Sequence, residues 1–342
     1  MHRKLTFLPI LLALFVGGCL PYSCNRTESR RLSPEDSLSR AFAGGLPVDT
    51  LQALGPVSIP ELEYPRTVAF GPDGTLWVSD TGSQKLFAVR DTLIAVVAMD
   101  SLLYPYIVGF RENLPVVFSP DASRIEAVGG SWAVQTPAGL PPRILQYAAV
   151  SDSSVWMKFA GEDFASHLVR LADDGQELER IPLDDPYWRW AGALRLRNGV
   201  PVSLSGYRPV LYSPGFGGAM GSVIDSTVLF GFDSPMLPRT RTFLTGDISQ
   251  PPLLSPSGVF VGDEFFAINI RPGWLQIDIY DSAYRLRRIL VESDPSFGQE
   301  FFPADIAVMR DPDGHLTIAA AITAPVPQVR LFRVGEARSP RP

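Results

Sequence analysis

Most of the chain reads as short apolar runs separated by polar, Gly- or Pro-containing breaks. YPRTVAF (64–70), LWVSD (76–80), KLFAV (85–89) and LIAVV (93–97) follow one another across the breaks GPDGT, TGSQ and RDT. Runs of this length, rich in β-branched and aromatic residues and bounded by turn formers, predict strands rather than helices. The same order returns about 40 residues later as YPYIVGF (104–110), LPVVF (114–118), RIEAV (124–128) and WAVQ (132–135). Weaker copies follow. A third set covers 144–150, 155–159, 167–171 and 178–181; a fourth covers 191–196, 201–212, 228–232 and 241–244. A fifth covers 253–261, 265–270, 274–280 and 286–291, and a sixth supplies only 305–309, 315–321 and 329–334.

A repeat of this period predicts a β-propeller. The expected fold is all-β: a six-bladed β-propeller of four-stranded antiparallel blades over 46–334, its sixth blade completed by the N-terminal stretch 50–57, which removes an exposed sheet edge. Composition agrees. Gly and Pro number 29 and 32, too much punctuation for long helices, while 46% hydrophobic residues allow a large core. The stretch FGPDGTLWVSDTGSQKLFAV (70–89) resembles the NHL and SMP-30-like six-bladed propellers, whose repeats carry a Pro before the inner strand, a D-G turn and a V-x-D-T-G segment. MRDPDGHLTIAA (309–320) resembles the same repeat less closely. The strands are too short for a membrane barrel, and paired sandwiches do not predict matching units at this spacing.

The ends read differently. Arg3 and Lys4 precede an apolar run that closes in small residues, too short to span a bilayer as a stable helix. Val16-Gly17-Gly18-Cys19 resembles a bacterial lipobox, which implies a signal peptide over 1–18 and a lipid-modified Cys19 at the mature N-terminus. Segment 19–45 reads as a tether with one short helix capped by Ser33, and 335–342 as a disordered tail. The expected location is therefore the cell envelope, lipid-anchored and exported, at the outer membrane facing the periplasm or cell surface. Cys24 has no partner in the folded part, so no internal disulfide is expected. A net charge of −6 gives no footprint for nucleic acid, and three His make a His-rich metal site improbable.

In a propeller, the loops entering the inner strands and those joining second to third strands meet on one face. The entry loops supply Arg66, Tyr106, Tyr187, Trp188, Arg189, Trp190 and Asp305; the other loops supply Asp80, Asp121, Glu162, Asp163, Arg271 and Trp274. From these, Arg66, Asp80, Tyr106, Arg189, Trp190, Arg271, Trp274 and Asp305 form the expected surface for a small polar ligand or an envelope protein, through stacking and charge-assisted hydrogen bonds. Plainer roles compete: Asp80 before Thr81-Gly82 suits a turn cap, and the tryptophans suit packing between blades. The SMP-30-like resemblance implies a divalent metal on Glu, Asn and Asp, toward which Asp305 with Asp80 or Asp121 would contribute, yet Arg66 stands where that family places a carboxylate. The Gly-rich stretch 215–221 lacks the spacing of a dinucleotide fingerprint and reads as a flexible loop or lid. No nucleophile elbow appears, and no catalytic residue, metal or cofactor is assigned. The expected function is a binding or scaffolding module, with a metal-dependent hydrolase or lactonase of SMP-30-like type as the alternative.

Overall fold

The repeated runs pair into antiparallel meanders. In the computed structural model the described residues are 45–334, apart from 100–101, 138–139, 141–143, 163, 184–185, 216–223, 245, 247–251, 272 and 293–300. The expected signal peptide, Cys19, the tether helix and the C-terminal tail lie outside them. β1 (Val48–Pro56) precedes the meander β2 (Pro65–Phe70), β3 (Leu76–Asp80), β4 (Lys85–Val89) and β5 (Leu93–Ala98). Next come β6 (Tyr106–Arg111), β7 (Leu114–Ser119), β8 (Arg124–Ala127) and β9 (Ala133–Gln135), then β10 (Leu145–Ser151), β11 (Ser154–Gly161), β12 (Phe164–Leu171) and β13 (Glu177–Pro182). They are followed by β14 (Leu194–Arg197), β15 (Val200–Leu204), β16 (Val210–Ser213) and β17 (Asp225–Val228), and by β18 (Gly258–Val261), β19 (Glu264–Ile268), β20 (Gln276–Tyr280) and β21 (Leu286–Glu292). β22 (Phe302–Arg310), β23 (Leu316–Ala324) and β24 (Gln328–Val334) close the chain.

Turn chemistry sets the first hairpin. Asp73 accepts hydrogen bonds from the backbone N–H and hydroxyl of Thr75, and Gly74 takes a φ of 82° that a side chain would disfavour. A related turn closes β22 to β23, where Asp311, four residues earlier, accepts from the N–H of His315 and Gly314 takes a φ of 89°.

The strands do not form six separate sheets. They form two four-stranded sheets, β2-β3-β4-β5 and β14-β15-β16-β17, and two eight-stranded ones. One eight-stranded sheet arises because β6 and β10 are bridged in parallel at the single pair Gly109 and Val150. The other arises because β1 runs parallel to β21, from Val48 opposite Ile289 to Leu51 opposite Glu292, and antiparallel to β24. The N-terminal strand is thus hydrogen-bonded to the C-terminal one, as the short sixth unit predicts.

The fourth unit departs from expectation. Stretch 201–212 is a hairpin, β15 and β16, rather than one strand, and 228–232 is largely outside β17. Stretch 241–244, expected as a strand, lies in the helix α1 (Leu237–Leu244). The cue lies upstream: Ser234 caps the turn by accepting from Met236 N–H, and Pro238 is tolerated in a first helical turn. The Gly-rich stretch, expected as a flexible loop or lid, falls between β16 and β17, with 216–223 outside the described residues.

Apolar clusters fill the spaces between meanders. One joins Leu51 of β1 to Phe266, Ile306, Ile318 and Phe332. Another places Trp156, Leu168, Trp190 and Tyr212 between β11, β12 and β16. Beside it lies Lys158 of β11, 1% exposed. Its Nζ donates to the carbonyl of Gly192 at 2.7 Å and to Ser203 Oγ at 2.8 Å, and lies 4.2 Å from the Tyr147 ring centroid. Burial, and secondarily the Arg195 charge, hold this amine well below its ordinary value of 10.5.

Two stability predictions follow. Leu51 is fully buried where β1 joins β24, so Leu51→Ala should cost about 2–5 kcal/mol in urea unfolding. For Lys158, between its depressed folded pKa and 10.5 the unfolded chain carries a proton that the folded chain does not. Stability therefore rises as pH climbs through that window. Lys158→Met should remove this rise, measured as the pH dependence of the urea midpoint above neutrality.

Candidate functional site

A cavity of about 300 Å³ opens where β2, β6, β10, β14 and β22 converge with the segment leading into β18. Its polar lining comprises Arg66, Thr67, Tyr106, Gln146, Tyr147, Arg195, Ser257 and Asp305; Val108, Phe118, Ile144 and Leu145 supply apolar walls. That volume sits at the small end of pockets that hold organic ligands.

Asp305 is 3% exposed. Its Oδ1 accepts from Arg195 Nη2 at 2.9 Å and from Ser257 Oγ, and its Oδ2 accepts from Val68 N–H at 3.1 Å. Arg195 is fixed further, donating from Nε to Gly258 O at 2.9 Å and from Nη2 to Ser257 Oγ at 2.9 Å. Arg66 differs. Half-buried on β2, it lines the cavity with no hydrogen bond or ion pair to any described residue. Tyr147 Oη accepts from the N–H of Gly192 at 3.1 Å, and burial pushes its phenol up to about 12, so it keeps its proton at neutral pH. Gln146 lines the cavity with a buried Oε1 that has no hydrogen-bond partner among the described residues.

Of the eight residues expected to form the binding surface, Arg66, Tyr106 and Asp305 line this cavity. The other five do not. Asp80 is fully buried and accepts from the N–H groups of Glu63, Tyr64, Gly82 and Ser83, so its carboxylate holds a loop and a turn. Trp190 is buried with its ring 4.6 Å from that of Tyr212, while Arg189 sits half-buried in the 3-10 turn Tyr187–Trp190. Arg271 is buried, donates to Gln276 Oε1 and to Asp233 O, and has its guanidinium pushed down by burial; with Asn269 and Asp278 it forms a polar knot inside the fifth meander. Trp274 is buried. Asp121 is exposed, Glu162 borders a separate depression with Tyr187 and Trp188, and Asp163 lies outside the described residues.

Residues within strands were missed. Arg195 and Tyr147 lie inside β14 and β10, and Gln146 beside Tyr147, whereas the sequence reading drew only on loops. The available signal was an arginine alternating with leucine in LRLR, a polar side chain on a strand otherwise facing the core.

The divalent metal that the lactonase resemblance implies does not fit this donor set. Asp305 is the one carboxylate among the cavity-lining residues; both its oxygens are hydrogen-bonded and two guanidinium groups share the cavity. Asp80 and Asp121, its expected co-ligands, lie elsewhere. Metal sites of this kind need several converging oxygen ligands.

No family model and no curated protein matches the chain. Solved structures do resemble it. The streptogramin B lyase structure is 12% identical over 83% of this chain and 97% of that one, with a TM-score of 0.48. A structure named as a gluconolactonase is 12% identical over 85% and 93%, with a TM-score of 0.53. The PQQ-bound aldose sugar dehydrogenase from Streptomyces coelicolor is 12% identical over 83% and 98%, with a TM-score of 0.44. The one of these three with a TM-score above 0.5 bears the name of an enzyme, so the expectation of a binding or scaffolding module is corrected in favour of its hydrolase or lactonase alternative. The likeness at this identity shows the fold: the chain is an all-β, propeller-like protein.

Proposed function

We propose that the chain is an enzyme of hydrolase or lactonase type, acting on a small organic substrate inside the central cavity without a carboxylate-bound metal. The observation that carries this reading is a guanidinium with no counter-charge among the described residues, Arg66, in the same small cavity as a phenol that retains its proton, Tyr147. In that arrangement Arg66 would hold the substrate carbonyl oxygen and stabilise the negative charge that develops when water adds to the carbon. Tyr147 would hand its proton to the departing alkoxide and take one back from the added water, so the phenol is restored. Thr67 and Ser257 are engaged with neighbouring groups, so they frame the cavity rather than react.

The finer architecture belongs to the same proposal. Six four-stranded blades, with β1 completing the last, are supported by the first strands β2, β6, β10, β14 and β22 and the lead-in to β18, which all line the cavity, and by the single residue pair that joins β6 to β10. NHL and SMP-30-like ancestry rests on the D-G turns before β3 and β23. Export with a lipid on Cys19 rests on the Val16-Gly17-Gly18-Cys19 sequence and the apolar run before it.

A panel of small lactones and aryl esters, followed by acid release, tests the reaction. Turnover is expected, with Arg66→Met lowering kcat by about 10²–10³, the effect of removing one oxyanion donor, and Tyr147→Phe lowering it by at least about 10². No turnover across the panel, or full activity in Arg66→Met, overturns the reading. Chelation should leave activity unchanged; a loss restored by calcium, zinc or manganese would return the metal-dependent mechanism. Separately, labelled fatty acid fed to expressing bacteria should appear in the wild-type chain and be absent from Cys19→Ser.

A further inference from the structure

We infer that the cavity is built for a small carboxylate that also carries a hydroxyl, so that it holds the ring-opened hydroxy acid more tightly than the closed lactone. The inference rests on the proposed function in placing the ligand in this cavity, and it adds the ligand's chemical class. Charge is the first argument. The lining holds two guanidinium groups and one carboxylate, and the carboxylate is taken by Arg195, Ser257 and the Val68 N–H. One positive charge is left over, on Arg66, in a partly enclosed space where water screens it poorly. A single excess cation matches a monoanion. The planar fork of a guanidinium takes both oxygens of a carboxylate at once, whereas a neutral lactone or amide carbonyl offers one oxygen and no charge.

The second argument is independent of charge. Gln146 lines the cavity with an amide whose buried Oε1 has no hydrogen-bond partner among the described residues, so the amide keeps hydrogen-bonding capacity for a ligand group. An ionised carboxylate cannot donate to it. A hydroxyl both donates and accepts, so it satisfies the Gln146 amide whichever way the amide is turned. Between these two points the walls are Val108, Phe118, Ile144 and Leu145, with the Tyr106 ring alongside, which suits an apolar or aromatic body. The ligand class is therefore an acid group, a hydroxyl and one compact apolar unit.

Calorimetric titration of the full chain with mandelate, mandelamide and phenylacetate tests this without any turnover. Mandelate should bind at least about tenfold more tightly than mandelamide, the difference expected for a charged hydrogen-bonding partner, and more tightly than phenylacetate, which lacks the hydroxyl. Arg66→Gln should erase the preference over mandelamide, and Gln146→Leu the preference over phenylacetate. Arg66→Lys, which keeps the charge and loses the fork, should fall between, and it serves if Arg66→Gln fails to give native circular dichroism. Equal affinity for mandelate and mandelamide, absence of saturable mandelate binding, or a carboxylate preference that survives Arg66→Gln overturns the inference. A carboxylate preference in a protein that hydrolyses nothing in the lactone and ester panel overturns the hydrolase reading and leaves the acid seat standing; turnover without that preference does the reverse.

Discussion

One buried carboxylate joins the middle of the molecule. Asp305 on β22 receives a hydrogen bond from the backbone of β2, another from Arg195 on β14 and a third from Ser257 just before β18, so four segments far apart in sequence meet at two oxygens. Inner strands of a ring have little side-chain volume to share at its axis, and the polar groups that face inward there must find partners or remain a burden to the fold. Asp305 supplies them. Because Arg195 is held by Asp305, Ser257 and Gly258 O together, it is a wall of the cavity rather than a mobile group. The consequence reaches the ligand: the only cavity guanidinium without a partner among the described residues is Arg66, and the field inside is set by that remainder.

The same charges set this cavity apart from a carboxylate-rich metal site. A divalent cation needs several oxygen donors with free lone pairs, and would have to displace Arg195 and Ser257 from Asp305 while sitting between two guanidinium groups. The electrostatic sign of the site is inverted. An inverted site still suits carbonyl chemistry, because a guanidinium can stabilise the same developing negative charge that a metal would. What changes is the preference among ligands, since a cationic side chain without a counter-charge among the described residues binds an acid directly.

The fold was legible where side-chain pattern and turn chemistry agreed. GPDG between 70 and 76 dictates a hairpin whose Asp and Gly sit where the geometry needs them, and the short sixth unit correctly required a strand from the other terminus, which β1 provides. The fourth unit was misread because RTFL satisfies a strand pattern in isolation; the capping Ser234 and the early Pro238 carry the helical signal, and they lie outside the apolar run. For the site, position in a loop was a poor guide. Asp80, Arg271, Trp190 and Trp274 have suitable chemistry, but each is turned into packing or a local hydrogen-bond network. Arg195, Tyr147 and Gln146 could be found only by asking which polar residues interrupt the inward row of an inner strand, and that row is not defined until the ring is assembled.

The segment before β14 connects the cavity to the core behind it. Gly192 takes a φ of 153°, and a Cβ there would stand 2.1 Å from the carbonyl oxygen of Leu204, so the backbone passes β15 at a distance that excludes a side chain. That close passage aims the two polar groups of one residue in different directions: the N–H of Gly192 donates to Tyr147 Oη, and its carbonyl accepts from Lys158 Nζ. The N–H bond, and more weakly the Arg66 charge, favour the phenolate; burial opposes them and prevails, leaving the phenol protonated. Were Lys158 charged, its ammonium 4.2 Å from the Tyr147 ring centroid would favour the phenolate as well, but the same burial holds that amine toward its neutral form. A dry core behind the cavity thus preserves the one proton that a reaction at Arg66 would use, and the glycine is the point at which that core and the cavity are held in register.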